Sequence, residues 1–167
     1  MVTISIDPSG NFEEGKGHTG VAKMVDDDWS SIKTLSINAT DYDHRFQYWS
    51  AVRKVIMDMA LTGIPTQVVI ESYVTRNVGF TVGKMPETAM LIGVLVYFCD
   101  MYKIPVYFQS PSQAKTRFKD ELLIKHVPEL ERKATGYYYL KDKRINDHER
   151  DALRHLLFFK KYKEFKG

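Results

Sequence analysis

Apolar and polar side chains alternate over residues 2–7, and this period of two predicts a β-strand that ends at Asp7. The Pro-Ser-Gly sequence that follows is typical of a turn. After a glycine-containing loop, residues 20–25 and 30–38 have the composition of two further strands. The pattern therefore predicts a three-stranded meander whose first strand carries an aspartate at its carboxyl end.

From residue 43 onward the apolar side chains recur with helical spacing, until Gly63 and Pro65 end the predicted helix. Residues 67–70 then form a short, β-branched strand of the kind that is buried on both faces of a parallel sheet. Glu71 follows directly. It therefore has the same position at the end of its strand as the aspartate at the end of the first strand.

The rest of the chain alternates helices and strands. After a glycine-containing loop over residues 72–84, we predict a helix from Pro86 to about Tyr102, a strand over residues 104–109, a helix over residues 111–126 and a final helix from near Asn146 to about Phe165. Residues 128–143 fit neither element. The order βββ, α, β, α, β, α, with an insertion before the last helix, predicts a single layered α/β domain over residues 1–167.

The composition is that of one soluble globular domain with a proper core, since 44% of the 167 residues are hydrophobic and 27% are charged. The longest apolar run, residues 90–99, is too short to span a bilayer, and the first residues do not resemble a signal peptide. We therefore expect a cytoplasmic protein. Cys99 is the only cysteine, which excludes an intrachain disulfide and a cysteine-based zinc site.

The charge of the chain is unevenly distributed. Up to Tyr102 there are 8 basic and 12 acidic residues, a net charge of −4, whereas the remainder has 16 basic and 9 acidic residues, a net charge of +7. This asymmetry indicates a polyanionic partner. The alternative is a solvated basic helix end, and charge alone does not separate the two or distinguish DNA from RNA.

Three segments bring acidic side chains to positions where a site can form. Asp7 and Glu71 each end a predicted strand, and functional groups of α/β sheets gather at the carboxyl ends of strands. The last predicted helix opens with an N-cap pattern, and His148 and Asp151 lie three residues apart on one of its faces. Oxygen ligands with one imidazole suit Mg²⁺ or Mn²⁺. The pattern therefore predicts phosphodiester hydrolysis with two ions per active site.

Each of these residues also has a simpler interpretation. Asp7 can cap the turn that follows it, and Glu71 can be a solvated strand end. Asp147 and His148 are common residue types at a helix start, where an acid is favoured by the helix dipole. Only the joint pattern is specific for a catalytic site.

The same residues carry a resemblance to the RuvC family of Holliday-junction resolvases, in order and context over most of the chain. The matching segments are Ile4-Ser5-Ile6-Asp7-Pro8-Ser9, Thr19-Gly20, Val69-Ile70-Glu71, Pro111 with Lys115, and His148-Glu149-Arg150-Asp151-Ala152-Leu153. The resemblance implies an RNase H-like fold, a homodimer that acts on four-way DNA junctions, and four metal-binding catalytic positions. In this sequence those positions are Asp7, Glu71, His148 and Asp151.

The sequence also departs from the family pattern. Residues 10–18 look like an insertion, and the glycine-rich basic segment of the cellular enzymes is not recognisable in residues 118–143. Such departures are similar to bacteriophage members of the family, whose preference among branched DNAs can be broader. Asp147 neighbours His148 and is an alternative candidate for the fourth metal ligand.

We also predict a surface that contacts DNA. The candidates are basic or aromatic residues near the expected site: Tyr73, Arg76, Phe80, Lys84, Lys115, Lys119, Arg144, Arg150 and Arg154. In the loop from Tyr73 to Lys84 the two rings are expected to enter the junction, although they could instead pack on a helix. The predicted helix from Pro86 to Tyr102 has more apolar surface than one stripe needs, so we expect it to form the homodimer interface or to be buried within the monomer.

Three other functions compete with the resolvase. One is another RNase H-like nuclease, which would cut RNA–DNA hybrids or packaging intermediates, and one is a non-catalytic DNA-binding or junction-binding module. The third, a phosphate-loop ATPase based on Gly10 to Gly20, is a weak candidate that we set aside because the Gly-x-x-x-x-Gly-Lys-Ser/Thr motif is absent. No small-molecule cofactor is therefore expected.

Overall fold

A five-stranded mixed sheet lies at the centre of the protein, whose computed structural model describes residues 1–13, 15–73 and 86–162. The strands are β1 (Val2–Asp7), β2 (His18–Val25), β3 (Asp28–Asn38), β4 (Thr66–Glu71) and β5 (Val106–Gln109). Their order across the sheet is β3-β2-β1-β4-β5. β1 to β3 pair antiparallel, whereas β4 is parallel to both β1 and β5. The predicted meander and its two additional strands are confirmed.

Helices cover both faces of this sheet. They are α1 (Arg45–Ala60), α2 (Glu87–Met101), α3 (Pro111–Arg117), α4 (Asp120–His126) and α5 (Asp147–Tyr162). α1 and α2 share a core with Ile4, Ile6 and Val21, whereas α3, α4 and α5 share one with Ala22 and Met24. Neighbouring strand residues such as Val21 and Ala22 serve opposite cores because side chains alternate between faces. Among the described residues, no helix is long and apolar enough to cross a membrane.

The predicted single helix over residues 111–126 is wrong, since α3 and α4 are separate helices. Phe118 leaves the helical conformation between them, with φ −120° and ψ 74°. Its ring is buried against Phe158, and its carbonyl oxygen accepts a hydrogen bond from Nε of Arg154 at 3.1 Å. The break is therefore stabilised by contacts with α5, which a local propensity cannot reveal.

Residues 128–143, which fitted no element, contribute to a small antiparallel sheet. Its strands are β6 (Leu130–Arg132), β7 (Tyr138–Leu140) and β8 (Lys143–Ile145), in the order β6-β7-β8. Two residues with positive φ, Lys141 at 50° and Asp142 at 65°, make the tight turn between β7 and β8. Tyr138, Leu140 and Ile145 join the core under α5. The small sheet is thereby anchored beside the helix that carries His148 and Asp151.

Candidate active site

Two features place the start of α5 beside the end of β1. Gly20 pairs with Asp7 across β1 and β2, and a Cβ at Gly20 would lie 2.1 Å from the carbonyl carbon and oxygen of His148. Asn146 and Glu149 cap the helix reciprocally: the backbone N–H of Glu149 donates to Oδ1 of Asn146 at 2.8 Å, and that of Asn146 donates to Oε2 of Glu149 at 3.1 Å. The predicted cap is confirmed, and the first turn of α5 lies against the sheet.

Asp7 and His148 are joined directly. Nδ1–H of His148 donates to Oδ2 of Asp7 at 2.9 Å, and this hydrogen bond raises the pKa of His148. Burial raises the pKa of Asp7 despite that hydrogen bond, and the charges of Glu71 and Asp151 raise it further. The three carboxylates are thus close enough to disfavour one another's ionisation. Such a cluster requires cationic partners to remain charged.

The ammonium group of Lys115 is one such partner. Its Nζ lies 2.9 Å from Oδ2 of Asp151 and 3.9 Å from Oε2 of Glu71. Partial burial disfavours its charge, but the hydrogen bond to Asp151 and the nearby carboxylates outweigh that effect, so the pKa of Lys115 is raised. α3, which begins with a capping box at Ser110, holds Lys115 there. Because the side chain stays partly exposed, the same ammonium group can face a phosphate.

His155 also contacts Glu71, and sequence reasoning missed it. It is fully buried, and its Nε2 lies 2.6 Å from Oε2 of Glu71. Its Nδ1 lies 2.9 Å from the side-chain amide of Gln109, whose nitrogen donates to it in the orientation that satisfies both groups. Nε2 therefore carries the proton that binds Glu71. The available signal was a histidine within an apolar helix, since a buried imidazole requires partners.

Arg154 has a similar relation to Asp151. It is 8% exposed, and its guanidinium group bonds Oδ1 of Asp151, Oδ1 of Asp120 and the carbonyl of Phe118. This leaves Oδ2 of Asp151 facing Lys115. This placement favours a role for Arg154 in orienting Asp151. It argues against the phosphate contact that the sequence predicted for Arg154.

The remaining candidates are distributed around this cluster. The carboxylate of Asp147 is 82% exposed and pairs with Arg150 at 3.0 Å, so it points away from Asp7 and Glu71. Lys119 and Arg144 are exposed, as the predicted DNA contacts require. Arg76, Phe80 and Lys84 lie outside the described residues, so the predicted junction wedge stays a prediction.

A cleft of about 330 Å³ opens over the cluster. Glu71 and His148 line it together with Ser9, Ser112 and Tyr73. Tyr73 is 43% exposed, and its predicted contact with DNA stays a prediction. A phosphate group entering this cleft would approach Glu71 and His148 from the solvent side.

The donor set fits divalent cations, although the cluster is not a preformed cage. Within the described ranges, no three His, Cys, Asp or Glu side chains converge closely enough to hold an ion as they stand. Instead, their polar atoms are engaged with Lys115, Arg154, His155 and one another. Hard oxygen donors beside one imidazole are nevertheless the ligands that Mg²⁺ and Mn²⁺ take, and a bound cation would offset the burial and the neighbouring carboxylates that raise the pKa of Asp7.

The close approach at Gly20 gives a test of this architecture. Gly20→Ala is expected to destabilise the fold by roughly 1–3 kcal/mol, because the backbone of α5 must shift to admit the methyl group. Gly93→Ala is the control, since a Cβ there meets nothing within 4 Å and alanine favours the interior of α2 by up to about 1 kcal/mol. Thermal unfolding of both variants checks the difference, and equal melting temperatures would contradict the close packing of α5 on β2.

Comparisons with known proteins give structural matches only. Neither the protein-family models nor the curated proteins include a match to the sequence. A Thermus thermophilus RuvC in complex with a Holliday junction substrate matches with a TM-score of 0.68 and 15% identity, covering 99% of this chain and 98% of that one. A second T. thermophilus RuvC structure gives a TM-score of 0.62 and 15% identity, covering 96% of each chain. The chain therefore has the RNase H-like fold of the RuvC resolvases.

Proposed function

We propose that the protein is a structure-selective DNA endonuclease that hydrolyses phosphodiester bonds at Holliday junctions and other branched DNA with the help of divalent metal ions. The observation that carries the proposal is the grouping of Asp7, Glu71 and Asp151 with Lys115 at the end of β1 and β4. The fold that holds this group is shared over nearly the whole chain with a RuvC solved on a Holliday junction. A non-catalytic module has no need to bury mutually repelling carboxylates at this edge.

The side chains have distinct tasks in such a reaction. Mg²⁺ or Mn²⁺ ions held by Asp7, Glu71, His148 and Asp151 would supply an activated water and stabilise the leaving oxygen. Lys115, relieved of its carboxylate partners, can donate a hydrogen bond to a non-bridging oxygen of the scissile phosphate.

Two buried side chains of the protein hold the carboxylates in place for that chemistry. Arg154 occupies Oδ1 of Asp151, and the Nε2–H of His155 occupies Oε2 of Glu71. Each carboxylate therefore keeps one oxygen that no buried partner takes. Such outer partners fix the orientation of metal ligands and are needed for their affinity. For His155 this role depends on the Nε2–H donor and not on a positive charge.

One substrate panel tests the proposal. Four-way, three-way, flap and linear DNA duplexes, together with an RNA–DNA hybrid, are incubated with the protein in Mg²⁺ or Mn²⁺ and the products are sized on denaturing gels. We expect cutting of the branched DNAs, with the four-way junction preferred. Preferential cutting of the hybrid would identify the alternative RNase H-like activity, and junction binding without any product would leave a binding module.

The basic residues give a second prediction about DNA contacts. Neutralising the exposed Lys119 with alanine is expected to reduce the slope of log affinity against log salt by about 1, because one phosphate contact is lost. Arg154→Gln is expected to leave that slope unchanged, since its guanidinium is buried against protein groups. Junction binding in Ca²⁺ over a salt series measures both slopes. A reduced slope in Arg154→Gln would restore Arg154 to the DNA interface.

The homodimer also belongs to this proposal. Leu91 and Leu95 of α2 are buried, whereas Tyr97 and Met101 are 68% and 57% exposed on the other side of the helix. This apolar surface suits a two-fold contact that would place two active sites on a symmetric junction. Tyr97→Glu is expected to shift the protein to monomer in sedimentation velocity, whereas Leu122→Glu, an exposed apolar position on α4, should not. A wild-type monomer at assay concentration would contradict the dimer.

A further inference from the structure

A second groove, of about 380 Å³, lies on the other side of His148 from the catalytic cleft. His148 lines both cavities. The walls of the second groove come from the small sheet and from α5, and include Tyr137, Arg144 and Arg150. His18 also lines this groove, and its ring stacks on that of His148 with centroids 6.0 Å apart. The two cavities therefore adjoin at His148.

The guanidinium group of Arg144 lies over the ring of Tyr137 on the wall of this groove. The guanidinium carbon of Arg144 lies 3.6 Å from the centroid of the Tyr137 ring, and Tyr137 is 48% exposed. Arg144 is exposed, and within the described residues its guanidinium donors have no hydrogen-bond or ion-pair partner. Elsewhere on the small sheet the cations are engaged, since Arg132 donates to Gly136 and Lys133 pairs with Glu131. Among the described residues, the guanidinium donors of Arg144 therefore stay available to a ligand beside an exposed aromatic ring.

The pair is fixed relative to the catalytic residues. The neighbouring Tyr138 is buried, and its hydroxyl group donates to Oδ2 of Asp120 at 2.7 Å while Arg150 covers its ring at 4.4 Å. Asp120 is also bound by Arg154, the residue that orients Asp151. One network of buried or partly buried groups therefore connects the groove to the metal-binding candidates. A ligand in the groove would have a defined position relative to His148.

We propose that this groove binds a nucleobase that has left the helical stack beside the scissile phosphate, with Tyr137 stacking on the base and Arg144 donating to the adjoining phosphate or to a base acceptor. The inference rests on the proposed function and specifies how that site selects its substrate. A cavity of this size suits a small planar ligand, and base–aromatic stacking tolerates any sequence. Arginine both stacks and donates in one plane.

Such a subsite favours branched DNA for an energetic reason. Extracting a base from a continuous duplex costs unpairing and unstacking energy, whereas a base at a branch point has already lost part of that stabilisation. The groove is therefore filled at low cost only when a branch lies next to the bound phosphate. Selection for branched DNA would arise at the catalytic site itself, in addition to any contribution from the dimer.

Photo-crosslinking tests the contact directly. Once the cleavage position on a four-way junction is mapped, 5-iodouracil is placed at either nucleotide flanking the cut, and complexes formed in Ca²⁺ are irradiated and analysed by mass spectrometry. We expect one of the two junctions to crosslink to Tyr137, and the matching linear duplex to give a much weaker crosslink. A wild-type protein that cuts the junction but shows no crosslink at Tyr137 would overturn the subsite alone. A protein that neither binds nor cuts any branched DNA would overturn the proposed function itself.

Variants measure how much the contact contributes. Tyr137→Ala is expected to weaken junction affinity about 5- to 150-fold, the range for loss of one stacked base, and to reduce the preference for junction over linear duplex. Tyr137→Phe should retain both, and Arg144→Lys should lose affinity because the ammonium group cannot stack. Tyr139→Ala is the matched control, since it removes another tyrosine–cation pair, with Lys133, from the adjoining strand β7 and outside the groove. Equal losses in Tyr137→Ala and Tyr139→Ala, or no loss in Tyr137→Ala at an unchanged melting temperature, would refute the proposal.

Discussion

Asp7→Asn is expected to slow junction cleavage at least about a thousandfold, which corresponds to roughly 4 kcal/mol of lost transition-state stabilisation. The amide keeps the shape of the side chain and can still accept the hydrogen bond from His148, but it removes the charge that a divalent cation needs. Cleavage rates under single-turnover conditions in Mg²⁺ and Mn²⁺ measure the loss. Binding of the junction in Ca²⁺ should change only a few-fold, because the phosphate contacts are made by other residues.

Stability separates this effect from misfolding. Burial raises the pKa of Asp7, so the folded state disfavours its ionised form, and the asparagine variant is expected to melt at or above the wild-type temperature at neutral pH without metal. Asp58→Asn is the control acid, since its carboxylate is an exposed partner of Lys54 on α1. Near-wild-type cleavage by Asp7→Asn would remove Asp7 from the metal site.

The cleavage assay also identifies the fourth metal ligand. His148 contacts Asp7 directly, whereas Asp147 faces solvent and Arg150. His148→Asp is expected to keep more activity than His148→Ala, because a carboxylate can still bind the cation. If Asp147→Asn lost cleavage while His148→Ala retained it, the ligand would be Asp147.

The convergence of Asp7 and Glu71 was predictable because both lie at the ends of strands with clear hydrophobic patterns. Such patterns fix where a strand stops, and parallel neighbours bring their carboxyl ends to one edge. The cap that starts α5 was predictable for the same kind of local reason, since Asn146 and Glu149 satisfy each other three residues apart.

The supporting residues were not predictable because their partners are distant in sequence. His155 reaches Glu71 across 84 positions, and Arg154 reaches Asp120 across 34. In the sequence, Arg154 belongs to a basic stretch and His155 to an apolar helix face. Local patterns therefore assign Arg154 to the DNA-binding surface and His155 to the core. The small sheet was missed because strands of three residues are too short for a periodic signal. Tyr137 and Arg144, which the sheet brings together, are nevertheless only 7 positions apart.

Replacing the buried histidine that holds Glu71 gives the second large expected effect. His155→Leu is expected to lower both the affinity for Mn²⁺ and the cleavage rate at limiting Mn²⁺ by roughly 10- to 100-fold, the range for loss of an outer-shell partner of a metal ligand. The reason is that Glu71 loses the N–H donor that fixes its carboxylate at 2.6 Å. Calorimetric titration with Mn²⁺ measures the affinity without substrate, and the Mn²⁺ dependence of cleavage measures its catalytic consequence.

Two further variants distinguish positioning from packing at His155. His155→Gln can still donate an N–H toward Glu71, so it is expected to recover part of the Mn²⁺ affinity even if both variants melt at the same reduced temperature. Gln109→Leu removes the amide that holds the imidazole tautomer but keeps the imidazole itself, so it should give a smaller loss of Mn²⁺ affinity than His155→Leu. His44→Leu, at an exposed position before α1, controls for the loss of any histidine. A His155→Leu protein whose Mn²⁺ dependence matches the wild type would show that Glu71 is oriented by the strand alone, because the imidazole would then contribute nothing to the carboxylate that binds the ion.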